Sequence, residues 1–302
     1  MSVLVVLVGC GNMGHAMLAG WLKSGKLTPH EVFVVEPNET LRARAAELGA
    51  LVGASPAELP RESAPTLVIF AVKPQVMRDV VPAYARFASM GATYLSIAAG
   101  TRIAVFEEIL GSTAAIVRCM PNTPAAIGKG MMVTFANPNV SAVAQDFVAD
   151  LLSASGEVAS IADEGLMDAV TAVSGSGPAY IFHFIECLTA AAESAGLPVE
   201  TAKLLAMQTV YGAASLAKES AETPKRLPIS SAPRPRRSAC SRNASNSSAG
   251  CIRKRVTFSS RLISWGSLAR STTQRTGSAF LIRLRWARSR NAKRRPSPMV
   301  TR

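Results

Sequence analysis

A run of aliphatic and β-branched residues, Val3 to Val8, breaks directly into Gly9-Cys10-Gly11-Asn12-Met13-Gly14, and an apolar helical pattern follows from His15 to Ser24. Strand, glycine turn and helix in that order leave few folds open. The first glycine permits the sharp turn, the second lets backbone touch a pyrophosphate, and the third brings helix and strand into close contact. The helix N-terminus then offers unpaired N–H groups to the anion. Glu36 stands 22 positions after Gly14, where such a unit carries the acid that accepts from ribose hydroxyls. Val8, Gly9, Cys10, Gly11, Asn12, Met13, Gly14 and Glu36 are therefore expected to bind a dinucleotide. Glu36 favours NAD. Arg42 and Arg44 either serve a 2′-phosphate or form a solvated helix face, so NAD and NADP both stay open.

The alternation continues. Glu31 to Val35, Thr66 to Val72, Tyr94 to Ile97, Ala114 to Cys119 and Met131 to Phe135 read as strands, with helices at Thr40 to Leu48 and from Lys73-Pro74-Gln75 onward. Strands apolar on both faces and separated by helices imply a parallel sheet covered on both sides, an α/β fold with a Rossmann-type doubly wound sheet. After about Ile161 the strand pattern stops. Asp163 to Ala172, Ala179 to Ala195 and Val199 to Ser220 read as Ala-rich helices. Small side chains allow close helix approach, so the second part is expected to be an all-helical domain that packs on a second copy of itself.

In a doubly wound fold ligands gather past the carboxyl ends of strands. Ala71-Val72-Lys73-Pro74 is one such loop, where Lys73 balances cofactor phosphate charge or is a surface lysine. Arg118 to Pro124 is another: its prolines fix the loop, and Asn122 and Thr123 either orient a nicotinamide amide or cap the turn. In Ser174-Gly175-Ser176-Gly177-Pro178-Ala179-Tyr180, two hydroxyls and two glycines run into a proline that opens a helix. That start leaves backbone N–H groups free for an anion, or is only a capped, tightly packed helix entrance. His15, His30 and His183 each stand alone, and a lone histidine without an orienting partner reads as packed or solvated rather than catalytic.

Charge divides the chain. Residues 1–227 hold 15 of the 33 Lys and Arg and all 20 Asp and Glu, while the last 75 residues hold the other 18 cations and no acid. Cys10, Cys119, Cys187, Cys240 and Cys251 form an odd set without metal-like spacing, so reduced thiols and no metal site are expected. No apolar run is long enough to cross a bilayer, and the apolar opening lacks a basic leader, which together indicate a cytoplasmic protein without a membrane partner.

Taken in order, "VGCGNMG", "FAVKPQ", "SIAAG" at 96–100, "RCMPNTPAAIGKGM" at 118–131 and "TAVSGSGPAYIF" at 171–182 resemble the pyrroline-5-carboxylate reductase family over residues 1 to about 227. The resemblance implies a dinucleotide-binding domain, a helical dimerisation domain, and NAD(P)H-dependent reduction of 1-pyrroline-5-carboxylate to L-proline, the last step of proline biosynthesis. It implies that Gly9 to Gly14 and Ala71, Val72, Lys73 and Pro74 hold the cofactor and that Asn122 lies near the nicotinamide. It also implies that Ser174, Gly175, Ser176 and Gly177 help build a substrate site at a homodimer interface. Reducing a cyclic imine needs hydride at carbon and a donor at nitrogen, so positioning supplies most of the rate and neither nucleophile nor metal is required.

The resemblance ends at about Pro228. There the family continues into a Thr-Ser-Pro-Gly-Gly-Thr-Thr type loop that binds the substrate carboxylate and offers a hydroxyl to the imine nitrogen. This chain instead reads Pro228-Ile229-Ser230-Ser231-Ala232-Pro233-Arg234 and stays Arg- and Ser-rich to its end. No catalytic residue is assigned for that reason. The expected domains are 1–161 for the dinucleotide, 162–227 for an incomplete helical dimerisation and substrate domain, and 228–302 as a basic segment, disordered or read out of frame. An out-of-frame origin accounts for an abrupt loss of every acid better than a nucleic-acid-binding function does. Two functions follow: a reductase impaired by its altered C-terminus, or an inactive cofactor-binding homologue with incidental nucleic-acid affinity. A β-hydroxyacid-type dehydrogenase is disfavoured by the absence of a lysine between Ser174 and Glu186.

Overall fold

The structure is a computed structural model in which residues 3–222 are described. The basic segment 228–302 lies outside the described residues, as do Cys240 and Cys251. Eight strands form one sheet: β1 (Val5–Val8), β2 (Val32–Val35), β3 (Leu51–Gly53), β4 (Leu67–Phe70), β5 (Thr93–Ser96), β6 (Ala115–Met120), β7 (Gly130–Ala136) and β8 (Gly156–Ser160). Their spatial order is 3-2-1-4-5-6-7-8. The helices are α1 (Asn12–Lys23), α2 (Glu39–Glu47), α3 (Met77–Val80), α4 (Ile103–Leu110), α5 (Ala142–Ser153), α6 (Met167–Val170), α7 (Gly177–Ser194) and α8 (Val199–Glu219). Among the described residues no helix is long and apolar enough to cross a membrane.

The period-2 alternation of strand side chains builds a core on each side of the sheet. Val5 and Leu7 join Met17, Leu18 and Trp21 of α1 and Leu151 and Leu152 of α5. Val6 and Val8 join Phe70, Tyr84, Tyr94 and Phe106 on the other face. The indole N–H of Trp21 donates to the Leu151 carbonyl at 3.0 Å, which ties α1 to α5. Full burial of each large apolar side chain contributes roughly 1.5–3 kcal/mol, so both layers are held to the sheet along its length.

β1 to β6 run parallel, as the doubly wound reading requires. β7, however, is antiparallel to β6, and β8 is parallel to β7. Nine residues, 121–129, join β6 to β7, and a parallel crossover needs a dozen or more, so the chain turns back instead. The sequence reading also missed β3 and β8. Both are edge strands: β3 has three residues and β8 is mostly exposed, so neither shows a buried apolar run. The helix expected from Lys73 is α3 followed by a 3-10 segment at 81–90. Pro82 lacks the N–H that would continue the α-pattern there. The helix expected over 163–172 is a 3-10 turn at 164–166, then α6, then a π-turn at 171–175.

α7 and α8 pack on each other. The residues α8 buries, Ala202 and Ala206, are both small, as close helix approach demands. α7 buries none, and Tyr180, Ile181, Phe182, Phe184, Leu204, Leu205 and Met207 stay exposed.

Candidate functional site

The strand order reverses between β1 and β4, and the glycine loop opens at their carboxyl ends. Gly9 follows β1 at φ +89°, where L side chains rarely go. A Cβ there would stand 2.9 Å from the Ala71 carbonyl oxygen and 2.8 Å from Val72, so Gly9 is what lets the loop after β1 nest against the loop after β4. A Cβ on Gly14 would stand 2.5 Å from the Gly9 carbonyl oxygen, which fixes the close crossing of helix and strand. Gly11, the α1 N-cap, differs: among the described residues no atom lies within 4 Å of its would-be Cβ. Open space thus faces the N-terminus of α1, and Asn12 and Met13 open that helix.

Glu36 directly follows β2 and is 8% exposed. Its Oε2 accepts from the Cys10 N–H at 2.7 Å and its Oε1 from the Asn38 N–H at 3.0 Å, which ties β2 to the glycine loop. Arg42 folds back, its Nη1 donating to the carbonyls of Glu36 and Pro37 at 2.9 and 3.0 Å. Burial, aided by Glu36, pushes the Cys10 thiol up to about 11, and burial pushes Cys119 up to about 12. Both are small hydrophobes at neutral pH rather than nucleophiles. His15 is held below its usual value by burial and then by Arg44. Lys73 and Pro74 are exposed at the end of the β4 loop.

A second group forms past β6. Asn122 Nδ2 donates to the Ser174 carbonyl and to Ser174 Oγ, each at 3.3 Å, while its Oδ1 accepts from the Met131 N–H at 2.8 Å. The turn Thr123–Ile127 packs against α1, which sets this group beside the glycine loop. The structure corrects the expectation of a fresh helix start at Ser174 to Tyr180. The chain is helical from α6 through a π-turn into α7, and the Ser176 N–H donates to the Thr171 carbonyl at 2.8 Å. Pro178 explains this: it has no N–H to give the Ser174 carbonyl four residues back, so the turn widens and Asn122 takes that carbonyl. Gly175 leaves the room that the end of Met120 fills. Ser176 and Gly177 are half-buried in the continuous helix, and the side chain of Ser176 makes no hydrogen bond among the described residues.

One site residue escaped the sequence reading. Arg118 is buried in β6, its Nη1 2.9 Å from Glu164 Oε1, and the same oxygen accepts from the Ile103 N–H at 2.9 Å. This contact joins β6, the start of α4 and the first turn of the helical part. A charge inside the strand "AIVRCM" was the available signal. Glu164→Ala is expected to lower the unfolding free energy by about 3 kcal/mol, because it strands a buried guanidinium. Urea denaturation measures this, and a loss under about 1 kcal/mol would show that Arg118 finds another partner.

A Rossmann-type sheet with an open glycine cradle, joined to a helical part through the Asn122–Ser174 contact, defines a dinucleotide-fold oxidoreductase. One family model, described as NADP oxidoreductase, coenzyme F420-dependent, matches residues 4–100, and a second, described as pyrroline-5-carboxylate reductase dimerisation, matches residues 164–236. The pyrroline-5-carboxylate reductase of Pseudomonas aeruginosa is 39% identical over 224 residues, 74% of this chain and 81% of that one. A solved pyrroline-5-carboxylate reductase from Coxiella burnetii superposes with a TM-score of 0.69 at 31% identity, covering 74% of this chain and 82% of its own. The Plasmodium falciparum pyrroline carboxylate reductase, solved with NADP bound, gives 0.64 at 31% identity over the same shares. The chain belongs to the pyrroline-5-carboxylate reductase family.

Proposed function

We propose that this chain binds NAD(P)H across the carboxyl ends of β1, β2 and β4 and reduces 1-pyrroline-5-carboxylate to L-proline, the last step of proline biosynthesis, at a rate held down by its altered C-terminal segment. The observation that carries the reading is the Asn122–Ser174 contact, which sets the helical part beside the glycine cradle at one edge of the sheet. The residues fit a dinucleotide. Space is open over Gly11 among the described residues, and Glu36 is anchored just past β2. When bound, NAD(P)H supplies the hydride.

The chain's own residues do the rest by placement. Gly9 to Gly14 seat phosphate against backbone at the N-terminus of α1. Ala71 to Pro74 close the crevice beside it. Asn122, held by Met131 and Ser174, would orient the nicotinamide of a bound cofactor. Ser174 to Gly177 form the wall that faces the imine. Residues 1–161 form the binding half and 162–227 the half that pairs with a second copy through the exposed apolar face of α7 and α8. The sequence from Pro228 lacks the family's carboxylate-binding loop, which motivates the reduced rate.

The test is steady-state oxidation of NADH and NADPH by the full chain with pyrroline-5-carboxylate, together with sedimentation at several concentrations. Slow, saturable turnover and weak self-association are expected. Cofactor binding with no turnover would favour the inactive homologue, and a tight dimer with full activity would show that the C-terminal segment does no harm.

A further inference from the structure

We infer that His183 and Cys187 on α7 form half of a zinc site, which a second copy of this chain completes with the same two residues. The inference goes beyond the reductase reading and takes from it only the pairing of α7 with a second copy. The sequence reading expected no metal site and set His183 apart as a lone histidine. On a helix, however, residues four positions apart share one face, one turn from each other. Cys187 Sγ stands 3.6 Å from His183 Nε2. Zinc bonds thiolate at about 2.3 Å and imidazole at about 2.0–2.1 Å, and a tetrahedral angle between those bonds sets sulfur and nitrogen about 3.6 Å apart. The two donors thus already stand at the separation that zinc demands. Glu186 serves the far side of the ring: its Oε2 lies 3.5 Å from His183 Nδ1, placed to hold the ring proton there and leave the Nε2 lone pair beside sulfur.

The pair sits on the face of α7 turned away from α8. Ile185, Leu188, Thr189 and Ala192 make up the half-buried stripe of α7, which packs on α8. His183 and Cys187 lie across the helix from that stripe, beside Tyr180, Phe184, Ala190 and Ala191, all of them exposed. Two aromatic rings offer apolar area there, and the two alanines leave room for a facing helix. Among the described residues no chain by itself gathers three donors that could hold a metal ion, whereas a closed zinc site takes four. A two-fold pairing presents the same patch from both copies, so two half-sites on its axis meet as two histidines and two cysteines. Each thiol gives its proton to solvent on binding, and the two thiolates balance the charge of the ion.

Zinc titrated calorimetrically into the metal-free full chain, under a phosphine reductant, tests this without catalysis. One ion for two chains is expected, with sedimentation shifting toward dimer, and Co2+ in place of zinc should show the visible bands of a tetrahedral site with thiolate bonds. Cys187→Ser and His183→Ala should each abolish tight binding and the dimer shift, and their exposure lets a melting curve confirm that both variants fold. Glu186→Gln should weaken binding roughly tenfold, as loss of an outer partner of a ligating histidine does. A chain carrying Cys240→Ser and Cys251→Ser should bind as wild type. Zinc held as tightly after Cys187→Ser, zinc lost from the Cys240→Ser and Cys251→Ser chain, or one ion per chain without a dimer shift would overturn the inference. A chain that dimerises under EDTA but takes up no zinc would overturn the site and leave the pairing of α7 standing. A monomer at every concentration, with zinc or without, would overturn both.

Discussion

Gly11→Val is expected to abolish dinucleotide binding, raising Kd roughly a hundredfold or more, because a branched side chain bars phosphate from two or three backbone N–H groups. The fold should survive it. Gly11 sits at φ −64° and ψ −166°, an ordinary extended conformation, with nothing within 4 Å of a Cβ among the described residues. Gly14→Ala is the counterpart: its methyl would meet the Gly9 carbonyl at 2.5 Å, so the strand–helix crossing must open and stability falls before binding is considered. Titration calorimetry and thermal melts on the two variants separate the roles. If Gly11→Val binds NADH or NADPH as tightly as wild type, the cradle is not the phosphate site. If it melts as early as Gly14→Ala, the position of Gly11 is needed for packing and not only for phosphate access.

The parts of this site that sequence revealed are those whose chemistry is local. Three glycines at fixed spacing after a buried strand announce their own geometry, since φ +89° at Gly9 and the near-contact at Gly14 are properties of a few consecutive residues. The α7 and α8 helices were legible because apolar periodicity persists over several turns. What stayed hidden depends on partners far along the chain. Nothing near Arg118 shows that Glu164 will neutralise it, and the fate of the Ser174 carbonyl depends on Pro178 refusing a bond and Asn122 supplying one. The antiparallel turn from β6 to β7 was concealed differently. The strand itself looks like the others, and only the short connection of 121–129 reveals its direction. Glu36 was read for its contact with a ribose, whereas its two bonds to the loop backbone belong to the folded chain alone.

The largest gain in activity should come from the nucleotide sequence rather than from any point substitution. Downstream of the Arg226 codon, a shift of one or two bases is expected to encode a Ser/Thr-Pro-Gly-Gly-Thr type loop and an acidic, helical C-terminus. Three breaks coincide near Leu227: the family's motif stops, all acidic residues end at Glu222, and helical periodicity is lost. The dimerisation match nevertheless runs to residue 236, into the altered stretch. GC-rich coding sequence read out of frame yields Arg, Ala, Pro and Ser, the residues that dominate 228–302. Restoring the frame is expected to return the loop to which the family resemblance assigns the substrate carboxylate and a donor toward the imine nitrogen. Since one transition-state donor is worth roughly a hundredfold to a thousandfold in kcat, the restored chain should exceed the present one by at least that margin. Sequencing the gene and assaying both chains side by side decides the matter. If neither alternative frame holds the loop, the basic segment is authentic and the reductase activity proposed for this chain fails. If one does and its product is no faster, the C-terminal loop is not what limits turnover.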